Sequence, residues 1–127
     1  MSAVERFDGL HILIVEDEYY IAAGLEEFFA EAGASVLGPV STVKAALALI
    51  GSHGDSMHGA TLDVNLRGAH VFPVAEALRA RKIPFVLSTG YDGDVIPPDY
   101  QDVVRLQKPV SPSAIAHRLA ACIAAAK

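Results

Sequence analysis

The chain alternates two apolar patterns: short continuous runs of strand type, and longer stretches with a helical repeat. Leu10-His11-Ile12-Leu13-Ile14-Val15 is the first run, unbroken enough for a strand buried on both faces. Over residues 19–32, Ile21, Leu25, Phe28, Phe29 and Ala32 share one helical face, with Glu26, Glu27 and Glu31 opposite and Gly33 as the stop. Residues 34–40 predict a second strand, placed at the sheet edge by Pro39. Ser41 or Thr42 can cap a helix over residues 43–50, with Leu47 and Ile50 facing inward. A Gly/Ser/His loop at 51–59 leads to the run Ala60-Thr61-Leu62-Asp63-Val64, and Arg67-Gly68 reads as a turn. Residues 71–81 predict a helix with Val71, Val74, Ala75 and Leu78 inward and Pro73 in its first turn. Residues 83–88 predict a strand, 103–106 a short one, and Ser111-Pro112 opens a final helix faced by Ile115, Leu119, Cys122 and Ile123.

Two stretches depart from this rhythm. Residues 1–9 are polar and mixed in sign, a loose lead-in. Residues 92–102 stand where a fourth helix is due, yet Gly93, Pro97 and Pro98 disfavour one, so that helix is expected to be short or irregular. Five strands alternating with four or five helices predict an α/β fold, a doubly wound parallel sheet.

Composition narrows the function. The 127 residues suit one domain, and 52% hydrophobic content supports a packed core. A net charge of −5 argues against a nucleic-acid partner, and no segment suggests a membrane surface or span. Charged residues occupy the N-terminus where a signal peptide is apolar, so a cytoplasmic location is expected. Cys122 is the only cysteine, and His11, His53, His58, His70 and His117 lack the spacing of a zinc site.

The chemistry lies where the strands end. An ionised carboxylate inside an apolar run costs several kcal/mol unless it is paired, metal-bound or at a wet strand end. Asp63 therefore belongs at the C-terminal edge, where open parallel sheets bind ligands, although an Asp that merely begins a turn reads the same way. Glu16-Asp17-Glu18 after the first strand either fans out as a solvated helix start or cradles a divalent cation. Thr89-Gly90 offers a hydroxyl and room for an anion, and Lys108, halted by Pro109, ends the last strand.

An acid pair, a central Asp, a hydroxyl residue and a Lys-Pro, in that order, resemble the receiver domain of two-component response regulators over residues 12–123. The resemblance implies one receiver domain over residues 1–127, a CheY-like or flavodoxin-like fold and strand order 2-1-3-4-5. It implies that Asp63 accepts a phosphoryl group from a sensor histidine kinase or histidine phosphotransfer protein, and that the domain then signals to a downstream protein. In that scheme Glu16, Asp17, Asp63 and the Asn65 carbonyl hold Mg²⁺. Lys108 and Thr89 serve the chemistry, Gly90 and Val64 bind phosphate, and Thr89, Tyr91 and Arg105 form the switch. The stretch from Pro84 to Tyr91 resembles a stand-alone subgroup with a Phe...Thr-Gly-Tyr signature. Arg105 replaces the aromatic usual in receivers, and as an obligate cation it is expected near Asp94, Asp99 or Asp102. Of three rivals, the first two are a haloacid-dehalogenase-type phosphatase and a phosphate-independent pseudo-receiver. The first needs a second acid where Asn65 stands, and the second has no use for Asp63, Asp17 and Lys108 together. A flavodoxin, the third, lacks its hydroxyl-rich phosphate loop.

Overall fold

The first apolar run forms β1 (His11–Val15), and its alternate side chains divide the interior in two. Ile12 and Ile14 pack with Phe29, Val86 and Leu119, while Leu13 and Val15 pack with Leu62, Val74 and Leu87 on the other side. A computed structural model of the protein describes residues 6–90 and 96–126. Around β1 stand β2 (Ser35–Val40), β3 (Gly59–Asp63), β4 (Phe85–Thr89) and β5 (Arg105–Gln107), all parallel, in the order β2-β1-β3-β4-β5. The expected doubly wound sheet and its order are thus borne out, and the Pro39 strand lies at the edge as expected.

Helices α1 (Tyr19–Glu31) and α4 (Pro112–Ala125) cover one face, and α2 (Val43–His53) and α3 (Phe72–Ala80) the other. Two caps work as the sequence suggests: Thr42 Oγ1 accepts the Ala45 N–H at 3.1 Å, and Ser111 Oγ accepts the Ala114 N–H at 3.1 Å. Between β4 and β5 the described residues hold a single 3-10 turn, Pro98–Tyr100, and no α-helix. After β3 the chain makes a small antiparallel hairpin, Asn65–Leu66 with Ala69–His70, turning through Arg67 and Gly68.

Several expectations need correction. Phe7, in the supposed loose lead-in, is fully buried edge-on against Phe29, ring centroids 5.0 Å apart, and its N–H reaches Ala32 O at 2.9 Å. One aromatic ring is enough to anchor a polar segment. Leu47 points outward, and Ala46 joins Ile50 in the core instead, because the inward face of α2 is the one turned to Val74, Ala75 and Leu78 of α3. That helix also runs on through the polar Gly51-Ser52-His53, where Ser52 Oγ bonds back to Ala48 O at 3.0 Å.

Candidate functional site

Each sheet strand except the edge strand β2 delivers a polar residue to the same end of the sheet. Glu16 follows β1 and is tied across to β2 by its N–H on Val40 O at 2.9 Å. Asp63 closes β3, in register with Ser88 of β4. Thr89 closes β4, and its carbonyl takes the Lys108 N–H at 2.8 Å, which draws Lys108 in from the end of β5. Glu16 and Asp63 are 3% and 5% exposed, so the sheet has carried two carboxyl groups almost wholly out of water.

One ammonium serves both. Lys108 Nζ stands 3.1 Å from the Glu16 carboxylate and 3.1 Å from Asp63 Oδ2, with Glu18 at 4.0 Å. Burial, then the neighbouring Glu16 carboxylate, push Asp63 up to about 8, against the opposing pull of Lys108. Burial alone would lower the Lys108 ammonium, but Glu16 and Asp63 raise it on balance. Glu16, Asp17 and Asp63 can each offer an oxygen, all within 4.8 Å of one another. Three hard carboxylate donors with a single shared ammonium suit a divalent cation such as Mg²⁺, whose charge would offset the excess.

No model of a known protein family matches the sequence, and no curated protein matches it. Solved structures do. The receiver SdrG from Sphingomonas melonis is 42% identical, over 98% of this chain and 99% of that one, with a TM-score of 0.76. The chain belongs to the response-regulator receiver family. A BeF3-activated conformation of SdrG is 44% identical over 91% of this receiver and 98% of that chain, with a TM-score of 0.72. A response regulator receiver protein from Sinorhizobium medicae shares the fold at 20% identity and a TM-score of 0.78, covering 94% of this chain and 98% of its own.

The receiver brings Glu16, Asp17, Asp63 and Lys108 into one cluster and sets Thr89 and Gly90 at the adjoining strand end. Asn65 N–H points back to Asp63 Oδ1 at 3.3 Å, while its side-chain Oδ1 accepts the Gly68 N–H at 2.8 Å and shapes the hairpin. Val64 is a correction. Its side chain is fully buried, its N–H donates to Ser88 O at 3.0 Å, and its carbonyl accepts the Val71 N–H at 2.9 Å, so no donor remains for phosphate. Tyr91 and Asp94 lie outside the described residues. Arg105 is exposed as expected; among the described residues its Nη1 meets Gln101 Oε1 at 3.3 Å, and neither Asp99 nor Asp102 pairs with it. Arg79 stands where Arg105 was expected: its Nη2 lies 3.5 Å from Asp102 Oδ1 and 2.7 Å from Asp99 O.

Two groups near these elements escaped the sequence reading. Arg67, at the hairpin tip, places Nε 3.7 Å from Asp17 Oδ2. Its signal was the Arg-Gly turn itself, four residues after Asp63. Tyr100 is buried against α3, its hydroxyl donating to Glu76 Oε2 and its ring lying 4.3 Å beneath the Arg79 guanidinium. No local pattern announces that contact, because α3 and the 3-10 turn meet only in the fold.

Proposed function

We propose that this receiver accepts a phosphoryl group on Asp63 from a phosphohistidine of a sensor kinase or phosphotransfer protein. The observation that carries the reading is the buried Asp63 carboxylate at a strand end, 3.1 Å from Lys108 Nζ and beside two further acids. A carboxylate oxygen attacks phosphorus, the bond from phosphorus to the donor imidazole breaks, and the imidazole leaves with its electron pair. Bound Mg²⁺ supplies positive charge to the transferring phosphoryl oxygens. Glu16 and Asp17 would hold that ion with Asp63, and the Asn65 carbonyl would complete the protein's share. Lys108 orients Asp63 and neutralises charge as it builds. Thr89 and the Gly90 backbone then bind the phosphoryl oxygens.

Further support comes from the 44% identical SdrG, which has a BeF3-activated conformation. In this reading residues 1–127 are one receiver domain in the cytoplasm, and no described helix is long and apolar enough to cross a membrane. Signalling passes to a downstream protein through a surface altered around Thr89, Tyr91 and Arg105. Incubation with acetyl phosphate and Mg²⁺, followed by peptide mass mapping, tests the assignment. Label on Asp63, lost in Asp63→Asn, is expected; label on another residue overturns it.

A further inference from the structure

Arg67 occupies a backbone position that suits it poorly. The hairpin turns through two residues with positive φ, Arg67 at 54° and Gly68 at 90°. Asn and Gly favour such a turn, because a longer L side chain crowds the backbone there. The Asn65 side chain clamps the turn through Gly68 N–H, so the Arg67 backbone has no other place to go. A residue that breaks a local rule calls for a compensating role.

The guanidinium supplies one. Lys108 is engaged with Glu16 and Asp63, and it approaches Glu18. Among the described residues, Arg67 is the only cation within ion-pair distance of Asp17. The two side chains differ sharply in exposure, 80% for Arg67 and 12% for Asp17. The acid is therefore held in place while the cation stands at the mouth. A cleft of about 380 Å³, lined by Asp17, Tyr19, Glu26, Ser41 and Arg67, opens beside the pair and gives the guanidinium room to withdraw.

We propose that Arg67 is a displaceable counter-charge for Asp17, a positioning residue that sets how tightly the acid cradle holds a divalent cation. The inference rests on the reading of Glu16, Asp17 and Asp63 as a Mg²⁺ cradle. Before the ion arrives, Arg67 offsets the negative charge of Asp17. With a cation held at Asp17, like charges would repel and Arg67 would swing out over the cleft. The ion must displace this competitor, so its affinity is lower than the acids alone would give.

Calorimetric titration of the full chain with Mg²⁺, at fixed pH and low salt, tests this. Arg67→Asn suits the turn and removes the charge, so it should bind Mg²⁺ on the order of threefold to tenfold more tightly. Arg67→Lys keeps the charge and should stay within about twofold of the parent protein. The gain in Arg67→Asn should shrink in about 1 M salt, where exposed charges are screened. A purely structural role in the turn would give neither the lysine rescue nor the salt dependence. Unchanged or weaker Mg²⁺ binding by Arg67→Asn overturns the inference. Should the parent protein bind no Mg²⁺, the cradle reading falls and takes this inference with it. If acetyl phosphate labels Asp63 while both proteins bind Mg²⁺ equally, only the role of Arg67 fails.

Discussion

Asp63 and Glu76 each stand near a cation and accept a hydrogen bond, yet their surroundings differ in kind. Asp63 is 5% exposed and shares one ammonium with Glu16, and its proton affinity is raised to about 8. Glu76 is exposed on α3, takes the phenol proton of Tyr100 in a hydrogen bond, and lies one turn from Arg79. Burial and then Glu76 push the Tyr100 phenol up to about 12, so it remains a donor throughout the neutral range. The second cluster is satisfied and serves as a clasp between α3 and the 3-10 turn. The first is short of positive charge by design of the sheet, which buries the acids because its strands end there. A site proposed to receive a new group is left electrostatically incomplete, and a clasp is not.

The sharpest way to break this contrast is Asp63→Asn. It should abolish labelling by acetyl phosphate and stabilise the metal-free protein by about 1–3 kcal/mol at neutral pH, since it removes a group that on folding must either hold a buried charge or take up a proton that it does not hold when unfolded. Urea unfolding measures the second effect, and a destabilised variant would place Asp63 with Glu76 among the satisfied groups.

The pH dependence sharpens the same point. Because the folded-state affinity of Asp63 for its proton is raised, its stabilising contribution is complete below about pH 4 and is lost as pH climbs towards 8. The stability of the metal-free protein minus that of Asp63→Asn should therefore fall across that window, by less than about 1.4 kcal/mol per pH unit. A flat difference curve, from unfolding at several pH values, would remove the electrostatic half of the comparison.

On the other side, Tyr100→Phe should cost about 1 kcal/mol of stability, the ordinary value of one hydrogen bond, and leave Asp63 labelling unchanged. A large loss of labelling would mean the clasp takes part in the site. Arg79→Gln gives the smallest effect, about 0.5 kcal/mol, since its contacts are partly exposed. Equilibrium unfolding resolves both.

Much of this was legible because strand ends carry their chemistry in order along the chain. Glu16, Asp63, Thr89 and Lys108 each follow or close an apolar run, and a parallel sheet brings such positions to one edge whatever the loops do. What stayed hidden depends on contacts between elements. Leu47 and Ala46 differ by one helical step, and which of them faces inward follows from where α3 and the sheet lie. Which arginine would meet Asp99 and Asp102 turned on whether α3 or β5 lay nearer, and α3 supplied Arg79. Val64 looked available beside Asp63, but its backbone is engaged on both sides, with β4 and with the residue before α3. Tyr100 showed no periodicity because it sits in a turn of three residues.

The anchorage of Phe7 has a practical consequence. α1 starts beside the acids and ends where Phe7 holds the chain to Ala32, at the far edge of the sheet. α4 likewise finishes there, with Ala126 lining a hollow shared with Met57, His58 and Pro84, just ahead of β3 and β4. Phe7 and Ala126 thus both sit on the side opposite the acids. A label attached at either of these two residues therefore stays clear of the sheet end that carries Asp63.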